Sequence, residues 1–185
     1  MRTLACVLVS LSLATPVLAQ DRFQANISAP ATGSIEIGHI GFSDTLRSKA
    51  DFLGQDELTR LAGYLREDLE NALIGSSWHG ISAQETVLTV TIVDVVPNRP
   101  TLSQIQQMDT AHYNEHVAGG ADVDAALVND TGDTIARFSF SWHNPDTEGG
   151  DGYGVWTDTR TAFARFAVQL AESLGEAPMP RGSDS

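Results

Sequence analysis

The chain has 185 residues, with 11 basic and 24 acidic side chains and a formal net charge of −13. That balance opposes contact with nucleic-acid phosphates and anionic headgroups, and it suits solubility, a cationic partner or a divalent metal. The single cysteine, Cys6, excludes a disulfide framework, a thiolate zinc site and a cysteine nucleophile from whatever follows the first twenty residues.

Those first residues, MRTLACVLVSLSLATPVLAQ, have the form of a secretory leader. Arg2 gives a short basic start, Leu4 to Ala19 an apolar core, and Val17-Leu18-Ala19 the small-residue pattern that a signal peptidase cuts. Residues 1–19 are therefore expected to be a signal peptide, removed before Gln20, leaving a periplasmic or secreted protein. The apolar run is too short and interrupted to span a bilayer, and no second one follows. Cys6 has no apolar stretch before it and is not placed as an acylation site.

Residues 20–32 are polar, contain Pro30, and are expected to be a flexible lead-in. Ser34 to Phe42 reads as a strand weakened by Gly38 and Gly41. Leu58, Leu61, Ala62, Leu65, Leu69, Ala72 and Leu73 recur at three- and four-residue steps, the stripe of an amphipathic helix. Asp56 and Glu57 suit its start, and Gly75 its stop. Thr86 to Val96 is rich in β-branched residues and apolar on both faces, which predicts a central strand ended by Pro97 and Pro100. Residues 119–142 read as a β-hairpin turning at Asn129-Asp-Thr-Gly132. Its inward faces are Ala121, Val123, Ala125 and Leu127, then Ala136, Phe138, Phe140 and Trp142. Ala162, Phe163, Phe166, Ala167, Leu170 and Leu174 give a last helix its buried stripe, before a disordered tail over 176–185. The expected architecture is a single α+β domain over 33–175, a mostly antiparallel four-stranded sheet with two main helices packed on one face.

Several of these segments resemble a family of small bacterial envelope proteins and lipoproteins known only as a domain of unknown function. They are the strand Leu88-Thr-Val-Thr-Ile92, then Gly119-Gly-Ala-Asp-Val-Asp124, Thr131-Gly-Asp-Thr-Ile-Ala136 and Trp156 to Ala167. The similarity covers roughly residues 33–175. It implies a compact α/β domain exported to the envelope and carries no catalytic residues. Unlike the lipoprotein members, this chain has no acylated cysteine.

One stretch has the form of a chemical motif. His112-Tyr-Asn-Glu-His116 matches H-x-x-E-H, in which two imidazoles flank a general-base Glu. On a helix, His112 and His116 share a face and can both reach one zinc at about 2.0–2.1 Å. In an extended strand they stand about 13 Å apart. Residues 101–117 have only a partial apolar stripe (Leu102, Ile105, Met108), so helix and loop both remain open. A zinc peptidase also needs a further carboxylate ligand and a substrate chamber, for which the domain is small. The weighed alternatives are metal binding by His112 and His116, a zinc-dependent hydrolase with Glu115 as base, or a polar surface loop.

The remaining candidates are plainer. His39 and His143 suit half-buried, hydrogen-bonded side chains in strands, and His79 a turn. Asp146, Glu148 and Asp151 crowd a glycine-rich loop, but their spacing does not fit an EF-hand. Trp142 and Trp156 fit core packing better than an exposed aromatic patch. No nucleophile-elbow, phosphate-loop or dinucleotide motif is present. The expectation is a non-enzymatic binding or accessory protein of the cell envelope, with no cofactor and an unidentified protein or small-ligand partner.

Overall fold

The computed structural model describes residues 21–29, 34–75, 86–108, 116–145 and 154–175. Five strands, β1 (Arg22–Ile27), β2 (Ile35–Phe42), β3 (Thr86–Val96), β4 (Gly120–Val128) and β5 (Thr134–His143), form one sheet in the order β1-β5-β4-β3-β2. Five helices accompany them: α1 (Asp44–Ser48), α2 (Ala50–Leu53), α3 (Gln55–Gly75), α4 (Leu102–Gln107) and α5 (Thr157–Gly175). The fold is α+β as expected and the sheet is mostly antiparallel, but it has five strands where four are expected, β1 being the added one, and one pair is parallel. The β2–β3 pair is parallel, joined through α1 to α3, while β3–β4, β4–β5 and β1–β5 are antiparallel. None of the described helices is long and apolar enough to cross a membrane.

The register explains the layering. Ile92, Val123 and Phe140 lie in one cross-strand row, Val90, Ala125 and Phe138 in the next, and Leu88, Leu127 and Ala136 in a third. All nine are buried and share one face of the sheet. Against that face α3 packs Leu58, Leu61, Leu65 and Leu69, and α5 packs Ala162, Phe163, Phe166, Ala167, Leu170 and Leu174. Both helices thus bury the stripes their sequences predict, each large side chain contributing about 1.5–3 kcal/mol of transfer free energy. Trp142 and Trp156 are both buried, as expected. Arg165 covers the Trp142 ring at 4.5 Å, and Trp156 donates its indole N–H to Glu57 at 2.7 Å.

The expected flexible lead-in over 20–32 is corrected in its centre, where Arg22–Ile27 is an edge strand on β5. Phe23 stacks on Phe138 at 6.2 Å, and Asp21 accepts from Arg165 at 2.8 Å and Gln169 at 3.1 Å. This strand escapes a hydropathy reading because its polar residues project away from the core and Ala25 stays exposed. The hairpin is as expected, with Gly132 at φ 87°, a value that favours glycine. The expected signal peptide 1–19 and tail 176–185 lie outside the described residues.

Candidate functional site

Among the described residues, the most concentrated polar chemistry sits at one corner of the sheet, where β3 ends, β4 begins, β5 ends and α5 starts. Pro97 and Pro100 stop β3 and leave Asn98 between them, fully buried. Its backbone donates to Val155 at 2.7 Å and accepts from Val117 at 2.9 Å. Its side-chain amide donates to the Val117 carbonyl at 3.2 Å and to Asp158 Oδ2 at 2.5 Å, while Oδ1 accepts from the Asp158 N–H at 2.8 Å. Asp158 Oδ2 also accepts from the Gly119 N–H at 3.0 Å, and Oδ1 from Asn144 Nδ2 at 3.2 Å. Beside it, the Thr159 hydroxyl reaches the carbonyls of Val96 and Gly120.

A buried carboxylate is costly unless its charge is answered. Here three N–H donors and the first turn of α5, where the helix dipole favours an anion, answer it. With both oxygens so engaged, Asp158 fastens four chain segments together; it is not presented to solvent as a general base. The sequence offers little warning of this, because an Asp in a first helical turn reads as an ordinary dipole partner.

The predicted histidines fall beside this corner. His116 is half-buried and directly precedes Val117, which is held by Asn98. His112 and Glu115 lie outside the described residues, as do His79, Asp146, Glu148 and Asp151. Of the segment 101–117, residues Leu102–Gln107 are helical, started by a capping box between Thr101 and Gln104. Among the described residues no group of three or more His, Cys, Asp or Glu is placed to hold a metal ion.

The sheet's other face carries no described helix. Across it run Arg22, Gln24 and Asn26 of β1, Arg137, Ser139 and Ser141 of β5, Asp122 and Asp124 of β4, and Thr89 and Thr91 of β3. Asp94 and Asp122 are direct cross-strand partners, a destabilising juxtaposition for like charges. Each has its own partner. Lys49 grips both oxygens of Asp94 at 2.8 Å, and His143 Nε2 stands 3.3 Å from Asp122 Oδ1. His143 is thus half-buried and paired, as expected, whereas His39 is exposed and does not share that setting. Two shallow depressions mark this face. One of about 400 Å³ is lined by Gln24, Asn26, Asp124, Arg137 and Ser139; another of about 280 Å³ is lined by Arg22, Asp122 and Ser141.

Between the helices, Asp68 of α3 is half-buried. Burial raises its pKa above the ordinary carboxylate range; Arg160 opposes the rise and Glu67 adds to it. Arg160 also lies over the Tyr64 ring at 4.3 Å, tying α5 to α3.

No protein-family model matches the sequence, and no curated protein matches it. Among solved structures, a variant of the PelC dodecamer from Paraburkholderia phytofirmans is similar with a TM-score of 0.44 and 10% identity, over 86% of this chain and all of that one. The PelC dodecamer from the same organism gives 0.43 and 8%, over 80% of this chain and 96% of that chain.

Proposed function

We propose that this chain is an exported binding or accessory component of a bacterial cell envelope, and that the open face of its sheet is the working surface. The observation that carries this reading is the polar face itself, which no described helix covers. A sheet with one covered face ordinarily leaves the other to solvent; here that face also holds the Lys49–Asp94 ion pair, the His143–Asp122 contact and two concave patches. The leader-like N-terminus and the resemblance to envelope proteins support export.

Two measurements test it. Cell fractionation of a C-terminally tagged chain should place it outside the cytoplasm, and retention inside refutes export. A photo-crosslinking residue at Ser139 on the open face should give an adduct in cells that the same residue at exposed Ala164 on α5 does not. Equal labelling from both positions, or turnover by the purified protein across a hydrolase panel, refutes the binding role.

A further inference from the structure

The sheet ends in two edges, and they are built differently. Edge strands expose unpaired backbone groups, and proteins blunt them with bulges, charges or covering side chains. β2 has such protection. Its register shifts between Ile37 and Ile40, and Arg66 reaches across from α3 to cap the carbonyls of Ile37 at 3.0 Å and Gly38 at 2.6 Å. Among the described residues β1 has neither a bulge nor a capping side chain, and its one charge, Arg22, lies at its first position. It pairs with β5 through an unbroken register from Arg22 to Ile27, with no proline, lysine or bulge, and no described strand lies on its outer side.

We infer that β1 pairs with β1 of a second copy, joining two sheets edge to edge. The Ser28 N–H donates to Ile135 at 2.8 Å. Antiparallel ladders alternate, so Asn26, Gln24 and Arg22 also turn their backbone groups towards β5. The N–H and C=O groups of Phe23, Ala25 and Ile27 therefore face outward. Their side chains share the helix side of the sheet, since their partners on β5 are Phe140, Phe138 and Ala136.

A two-fold axis through Ala25 uses all three outward residues. Ala25 meets Ala25 of the second copy, and Phe23 meets Ile27, each pair exchanging two backbone hydrogen bonds. On the open face Gln24 stands opposite Asn26, amide against amide. A one-residue slip sets apolar side chains against polar ones, and centring on Gln24 loses Ile27 from the ladder. Charge also permits the contact. In a chain of net charge −13, the only ionisable residue of β1 is basic, and the axis places Arg22 opposite Ser28.

The test is the mass of the exported protein by sedimentation over a wide concentration range. The expected result is a concentration-dependent dimer. Ala25→Pro removes an outward N–H that β5 does not use, and proline is tolerated on such an edge, so this variant should fold and stay monomeric. Ala25→Glu and Ala25→Lys place like charges on the axis; each should be monomeric alone, and mixing them should restore the dimer. A parent that remains monomeric at every concentration overturns the proposal. So does a dimer that persists in Ala25→Pro, or a failure of the two charged variants to recover one another.

Discussion

Removing the carboxylate of Asp158 is the sharpest test of the corner that joins β3, β4, β5 and α5. In Asp158→Ala, the buried Gly119 N–H loses its acceptor, and Asn98 Nδ2 loses one of two. Asn144, at the edge of the corner, loses a further contact. A buried donor left unsatisfied costs about 1–3 kcal/mol, and a bond to a charged acceptor lies toward the upper end. The Gly119 loss alone accounts for about 2 kcal/mol, and the weakened hold on Asn98 brings the total to about 3 kcal/mol. For a domain of this size that corresponds to a Tm lower by roughly 6–12 °C. Urea unfolding of parent and variant should show a lower midpoint with an unchanged m-value. A loss below about 1 kcal/mol, the scale of an ordinary surface change, refutes the claim that this carboxylate fastens the corner.

Other consequences follow from single contacts. At Gly120 an added Cβ meets the His143 Cα at 2.6 Å and presses on the Trp142 carbonyl. Gly120→Ala should therefore cost about 2–3 kcal/mol as overpacking against backbone, read by thermal unfolding. Gly132→Ala has open space and only its positive φ against it, so about 1 kcal/mol is expected. Trp156→Phe loses the indole donor to Glu57 and should destabilise by about 1 kcal/mol, with coupling to Glu57→Gln in a double-mutant cycle. For Asp68 the folded pKa is raised, so its favourable contribution is present at acid pH and is lost as pH rises through the folded value. Asp68→Asn should be more stable than the parent at neutral pH, the gap closing on acidification through the carboxylate range. A gap independent of pH refutes this.

Periodicity made both main helices and the β4–β5 hairpin legible, because each buries a continuous one-sided pattern: Leu58 to Leu69, Ala162 to Leu174, and Phe138 to Trp142. β1 was hidden for the converse reason. Phe23, Ala25 and Ile27 do alternate with polar residues, but an edge strand so short and half-exposed resembles a polar lead-in until β5 is beside it. The corner was less legible still. Asn98 and Asp158 are sixty positions apart, and neither carries a local signal of its partner. His112 and His116 show the opposite imbalance, a recognisable spacing whose first member lies outside the described residues.

The long spans closed by these contacts impose an order on folding. β1 and Asp21 rest on β5 and α5, with 144 positions separating Asp21 from Arg165. A chain made from its N-terminus delivers β1 first and its supports last. The strand must wait, unpaired, while nearly the whole domain emerges, and the corner cannot close before residue 158 arrives. Closing such distant segments delays the reward of folding until most of the entropy has been spent. During that interval the first strand to appear is the one least able to protect itself, and the acidity of the rest of the chain helps to keep neighbouring molecules apart.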